Sequence, residues 1–297
     1  MANAFSRSWE ITKLSFNVIK QDKELILFPF LAGIFSLIFM AAMIIPSILP
    51  MFLADNQLVA HSLTILEYII LFIIYLGIAF IATFFNVCVV YTTKKRFEGG
   101  NATFGESIGF AFSKIHLILS WSLLAATVGL ILRLIDRLAE RMGNGGRIVV
   151  SILNSILGMI WSIITIFVVP AMVYNNLGPF AAIKRSVQVL KKTWGESLIR
   201  YYGLGLVQFL LLFIGIIIFV GLIIASTFLG IYAVLVVVIL AILYFLGVIL
   251  IFTVANSIFN TALYEYADKG TIPAGYNQEV LSHAFQAKKP SMLGGTI

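Results

Sequence analysis

Residues 201–264 read YYGLGLVQFLLLFIGIIIFVGLIIASTFLGIYAVLVVVILAILYFLGVILIFTVANSIFNTALY, with no Asp, Glu, Lys, Arg or His. One bilayer crossing takes ~20–25 residues, so this run is about twice too long for a single span. Hydrocarbon offers the backbone no hydrogen bonds, so the run is expected to fold back as two helices. Ahead of it stands a basic segment, residues 180–194, FAAIKRSVQVLKKTW. On a helical wheel Lys184, Arg185, Gln188, Lys191 and Lys192 share one arc, and Ala182, Ile183, Ser186, Val187, Leu190 and Trp194 the other. That is the pattern of a helix lying flat among headgroups. An interfacial helix followed by a transmembrane hairpin is the unit from which the rest of the chain is read.

The unit recurs towards the N-terminus. An amphipathic helix over 5–22 puts Phe5, Trp9, Thr12, Phe16 and Ile19 opposite Glu10, Lys13, Asn17, Lys20 and Gln21. Spans are expected over 25–48, closed by Pro46 and Pro50, and over 65–91, stopping at Lys94-Lys95-Arg96. A weaker amphipathic piece, 103–113, leads into spans 115–135 and 148–174. The basic helix then precedes spans 198–226 and 232–266, and a polar cytoplasmic tail, 271–297, follows with helical turns around 278–286. The expectation is an all-α integral membrane protein with a single membrane domain, 1–270. Its six transmembrane helices form three hairpins, each preceded by a cytoplasmic-face amphipathic helix. The segment Lys13-Leu14-Ser15-Phe16-Asn17-Val18-Ile19-Lys20 matches Lys184-Arg185-Ser186-Val187-Gln188-Val189-Leu190-Lys191 in residue type almost throughout, which points to an internal repeat.

Composition agrees with this reading. The 297 residues are 61% hydrophobic and 11% charged, against roughly a quarter charged in soluble domains. The net charge of +7 resides beside apolar spans, where it orients helices and meets anionic headgroups, so nucleic acid is not an expected partner. Residues 5–23 alternate charge with apolar residues, so no cleaved signal peptide is expected. Basic residues concentrate in the N-terminal helix, the 93–114 and 178–200 connections and the tail. Both termini are therefore expected in the cytoplasm. Arg133, Arg137, Arg141 and Arg147 fall on the other side, where Asp136 and Glu140 are expected to pair with them locally.

Catalysis and coupled transport need ionisable groups where the membrane makes them costly, and none lies near a span centre. His61, His116 and His283 are scattered, Cys88 is the single cysteine, and no HExxH, GxSxG or phosphate-loop spacing occurs. No catalytic residue, metal or cofactor is expected. The residues expected to meet headgroups are Lys184, Arg185, Lys191, Lys192 and Trp194, with Trp9, Lys13 and Lys20. The leading expectation is a non-enzymatic scaffold or accessory subunit. It would engage anionic lipid, a membrane-protein partner or a second copy of itself. The alternative is a permease or lipid-handling protein with a neutral polar cavity between spans two, four and six, at Asn86, Asn154, Ser155, Asn256 and Asn260. Such residues also join packed helices, at about 0.6–2 kcal/mol each.

Two end motifs carry a resemblance. Arg7-Ser8-Trp9-Glu10 and Asp22-Lys23-Glu24-Leu25 with Phe28-Pro29-Phe30 stand at one end. At the other are Ala262-Leu263-Tyr264-Glu265-Tyr266, Gly270, Pro273, Gly275, Leu281, Ala284-Phe285 and Lys288. The chain resembles an uncharacterised family of prokaryotic multi-pass membrane proteins, a domain of unknown function. The resemblance implies six helices in a prokaryotic plasma membrane and supplies no catalytic residues. More loosely, an amphipathic helix plus hairpin is similar to the membrane domain attached to some glycerophosphodiester phosphodiesterases. Their catalytic domain has no counterpart in these residues, so the resemblance implies no activity.

Overall fold

A computed structural model describes residues 4–53, 65–194, 204–273 and Tyr276. Most of the connection expected over 50–62, the start of the fifth span, and the tail at 274, 275 and from 277, with Gly275, Leu281, Ala284, Phe285 and Lys288, lie outside the described residues. Among the described residues the secondary structure is helical, without a strand. The helices are α1 (Ala4–Gln21), α2 (Leu27–Leu53), α3 (Ile65–Phe97), α4 (Phe104–Ser113) and α5 (Ile115–Glu140). They continue with α6 (Asn144–Ile164), α7 (Val168–Asn175), α8 (Pro179–Trp194), α9 (Gly205–Ser226) and α10 (Ile231–Lys269). Six segments are long and apolar enough to cross a membrane, Lys23–Pro46, Tyr68–Phe97, Ile115–Glu140, Gly145–Asn175, Gly205–Leu229 and Ile231–Lys269. The protein is an all-α, multi-pass membrane protein.

Two compact units divide the chain, one of residues 21–187 and one of 1–20 with 188–297. In the 21–187 unit α3 is central, and α2, α4, α5 and α7 all pack against it. Buried residues collect at its Lys94–Arg96 end: Leu25 and Phe28 entering α2, Val87 to Val90 in α3, Leu117 and Ile118 in α5, and nearly all of α7. The opposite end exposes Ile148, Ile152 and Leu153 of α6. In a bilayer such apolar exposure is met by lipid rather than water.

Prolines act in opposite ways in this unit. Pro46 and Pro50, expected to close the first span, lie inside α2, which runs to Leu53. A membrane helix tolerates the one hydrogen bond each proline removes, because unwinding in lipid would leave more groups unpaired. At Pro170 the expected single fourth span does break, into α6 and α7. Pro170 cannot bond the carbonyl of Ile166, and its ring crowds that carbonyl. The chain turns at 165–167, where the Phe167 N–H donates to the Ser186 hydroxyl of α8 at 3.3 Å. The expected ends at 91 and 135 also move outward, because α3 continues to Phe97 and α5 to Glu140 as solid helix.

In the other unit α9 turns through residues 227–229 and Gly230, at φ 95°, before packing on α10. Close approach centres on Gly215, where a Cβ would overlap the Tyr244 ring, whose hydroxyl donates to the Leu211 carbonyl at 2.9 Å. At ~1.5 Å per residue α10 is about 58 Å long, more than a bilayer with its headgroups. Its first turns are exposed, whereas Thr261 through Glu265 are buried in succession. Phe16 of α1 meets Phe252 edge-on at 5.6 Å between centroids. Tyr276 stacks on Phe259 and shares a 2.9 Å hydrogen bond with buried Ser15. Burial raises the Tyr276 hydroxyl pKa, with the Ser15 hydrogen bond opposing.

Candidate functional site

Two charged ends of the 21–187 unit carry its polar chemistry. The first forms where α3 ends. α3 stops at Phe97, Gly99 turns at φ 81°, and the Gly100 N–H donates to the Lys95 carbonyl at 2.9 Å. This tight reversal returns Asn101 to Arg96, whose Nη2 donates to its Oδ1 at 2.7 Å. The same nitrogen lies 3.3 Å from Asp22 Oδ2, just ahead of α2. Asp22 is buried, and burial lifts its carboxyl pKa above the usual value of 3.8 despite the hydrogen bond and charge of Arg96. Desolvation here outweighs the ion pair, as it often does for buried pairs.

Around this pair Lys94, Lys95 and Lys114 each have a partner. Lys94 reaches Glu98 at 4.0 Å and lies over the Tyr174 ring at 4.8 Å. Lys95 lies 6.0 Å from the Tyr91 ring, which itself stacks on Phe110. Lys114 donates to Asn176 Oδ1 at 2.8 Å, and Asn176 holds the left-handed cap of α7, at φ 53°. α4 is started by a reciprocal cap. Thr103 Oγ1 accepts from the Glu106 N–H, and Glu106 Oε2 accepts from the Thr103 N–H at 2.8 Å, which holds the Glu106 carboxyl pKa below its usual value. One turn on, Ser107 meets Thr92 at 2.6 Å. Among the described residues, buried Thr93 Oγ1 and Arg96 Nε have no partner there.

The second end lies along α5. Between Ile115 and Leu132 α5 has no Asp, Glu, Lys or Arg and rises ~27 Å, close to the ~30 Å of a bilayer's hydrocarbon. Arg133, Arg137 and Arg141 then recur at four-residue intervals, on one face. The local pairing expected for them is not made. Asp136 Oδ1 accepts from Asn154 Nδ2 at 2.7 Å, and among the described residues no carboxylate lies within salt-bridge distance of these arginines. Arg137 lies 5.9 Å from the Tyr68 ring.

The residues marked out in the sequence fall as follows. On α8, Lys184, Gln188 and Lys191 are exposed, Arg185 is half-buried, and Ala182, Ser186, Val189 and Leu190 are buried. The Lys192 and Trp194 side chains lie outside the described residues. On α1, Lys13 and Lys20 are exposed and Trp9 is 55% exposed, while the buried face is Thr12, Ser15, Val18 and Ile19. Asn154 also donates to the Leu132 carbonyl at 3.1 Å, bridging α6 to α5. Ser155 is exposed and donates to the Ser151 carbonyl of its own helix at 2.9 Å. Asn86, Asn256 and Asn260 are half-buried. Sequence reasoning missed the Asp22–Arg96 pair and the freedom of Arg137 and Arg141. The pair had a signal, because a helix entering the membrane beside one leaving it sets Asp22 opposite Arg96.

Among the described residues no group of three or more His, Cys, Asp or Glu is placed to hold a metal ion. Neither a curated protein nor a solved structure matches the chain. Residues 65–274, from the start of α3 to just past α10, match the model of a family of unknown function (DUF6159), and the chain belongs to that family.

Proposed function

We propose that this is a non-enzymatic scaffold or accessory subunit of a prokaryotic plasma membrane, in which α1, α4 and α8 lie as interfacial helices on the cytoplasmic face ahead of three hairpins. It engages anionic lipid headgroups, or a membrane-protein partner, through the exposed cations of α8 and α1. The observation that carries this reading is the division of α8, with Lys184 and Lys191 exposed and Ala182, Ser186, Val189 and Leu190 buried. A helix so divided holds its charges where anionic headgroups add about 1 kcal/mol per basic residue. The Ser15–Tyr276 hydrogen bond supports termini on one side, as six crossings require. The looser similarity to phosphodiesterase membrane domains fits the same arrangement and adds no activity.

A cavity of neutral polar groups draws less support. Ser155, Ser162, Thr165 and Thr253 donate to carbonyls of their own helices, which uses each hydroxyl's one proton. The test is to replace Lys184, Arg185, Lys191 and Lys192 together with Gln. Flotation with anionic vesicles and co-purification of partners from native membranes are then compared with the unaltered chain. Loss of either is expected, and retention of both sinks the proposal.

A further inference from the structure

The geometry points to a second binding site, for a phosphate-type anion, at the end of α3 and α5 remote from Arg96. The anion is held by Arg137 and Arg141 beside the ring of Tyr68. A cavity of about 370 Å³ opens there, lined by Tyr68, Leu134, Arg137, Leu138, Glu140 and Arg141. That volume lies in the range of small-ligand sites, roughly 300–1,000 Å³.

Its depth follows from the helices. Tyr68 precedes Arg96 on α3 by a rise of ~42 Å at 1.5 Å per residue, the full thickness of a bilayer with its headgroups. Arg137 and Arg141 stand ~6 and ~12 Å beyond Arg133, where the apolar part of α5 ends. The cavity therefore opens in the headgroup layer opposite the Lys94–Arg96 end, where lipid phosphates reside.

The charges select the occupant. Like charges four residues apart on a helix repel, and among the described residues no carboxylate within salt-bridge distance offsets these two. The planar guanidinium presents paired donors that match two phosphate oxygens at once. Placed over the Tyr68 ring, the Arg137 group is oriented as well as charged. Glu140 in the wall brings the described lining residues to +1 (two arginines less one carboxylate). That charge suits a singly charged phosphodiester better than a phosphate dianion. Leu134 and Leu138 supply the apolar wall that the glycerol end of an acyl chain would meet. A lipid phosphodiester and free inorganic phosphate share the chemistry, and the experiment separates them.

The full chain in neutral detergent is titrated with phosphatidylglycerol and followed by native mass spectrometry, and separately with inorganic phosphate and followed by thermal unfolding. The R137Q/R141Q pair is expected to retain phosphatidylglycerol about tenfold more weakly than the unaltered chain. R141Q alone changes one exposed, unpaired side chain, so its folding is secure, and about threefold weaker retention is expected. K184Q/K191Q is expected to keep this lipid, which separates the site from the face proposed on α8. A phosphate-induced stabilisation that vanishes in R137Q/R141Q, without a change in lipid retention, would keep the site and assign it to the free ion. Equal behaviour of the unaltered chain and both arginine variants towards both probes overturns the inference.

Discussion

The two ends of the α3–α5 pair carry arginines in contrasting states. At one, Arg96 is held by buried Asp22 and exposed Asn101, and its lysine neighbours are engaged by a glutamate, an asparagine and aromatic rings. At the other, Arg137 lies over a ring and meets no carboxylate among the described residues. A count of basic residues treats the ends alike, whereas their partners assign them different work. A cation held by a carboxylate and an amide holds helices together; one that meets neither is available to something outside the chain.

The sharpest way to break this comparison is to remove one arginine from each end. Arg96→Gln leaves Asp22 buried without its cation, which costs 3–5 kcal/mol for a fully buried pair. With Arg96 itself 24% exposed, about 2–3 kcal/mol is expected, read as a lowered unfolding temperature in detergent. Arg137 is half-buried over the Tyr68 ring but without a carboxylate partner among the described residues, so Arg137→Gln is expected to cost no more than about 1 kcal/mol. Similar losses at both ends would erase the distinction.

Acid sharpens the same contrast. Burial raises the folded-state pKa of Asp22 above its unfolded value of 3.8. Between the two values the folded chain holds a proton that the unfolded chain has released. The contribution of this group to stability is therefore largest below the unfolded value, declines as pH climbs through the folded one, and is level above it. Asp22→Asn has no such titration. The stability difference between the unaltered chain and Asp22→Asn should fall as pH rises from the unfolded value of 3.8 through the folded one. A difference that rises instead would mean that Arg96 outweighs desolvation.

A smaller effect is expected where the fourth crossing breaks. Ser186→Ala removes the hydroxyl that accepts from the Phe167 N–H, and a loss of about 1 kcal/mol should follow, read by thermal unfolding. An unchanged melting temperature would mean that the break needs no help from α8.

That break also marks what the sequence could convey. Six crossings were legible because lipid demands long apolar helices, and each of those segments stands in the fold. Prolines were not legible one at a time, since α2 continues through Pro46 while the chain turns ahead of Pro170. Near Pro170 a serine from another helix takes up a backbone donor, and nothing local announces a partner so far along the chain. Exposure of Lys184 and Lys191 followed from helical period alone. The state of Arg137 did not, because Asp136, one residue away in sequence, turns to Asn154 across the helix pair. Tyr276 looked like part of a polar tail, yet Ser15 and Phe259 hold it in the core.

Adjacent threonines at the engaged end give the finest test of whether partners, rather than placement, decide a group's role. Thr92 and Thr93 are both buried on α3, one turn before Arg96. Thr92 Oγ1 lies 3.0 Å from the Cys88 carbonyl and 2.6 Å from Ser107 Oγ, so one hydroxyl donates to the other and the second proton goes to a helix carbonyl. Thr93 Oγ1 has no partner among the described residues. Valine has the shape of threonine without its hydrogen bonds. Thr92→Val should cost about 1 kcal/mol, since it leaves Ser107 short of a partner. Thr93→Val should be neutral or stabilising by up to about 0.5 kcal/mol, because it removes a buried hydroxyl that nothing satisfies. Equal costs at the two positions would mean that burial alone sets the energetics at this end, and the distinction between its engaged Arg96 and the arginines across the membrane would lose its physical basis.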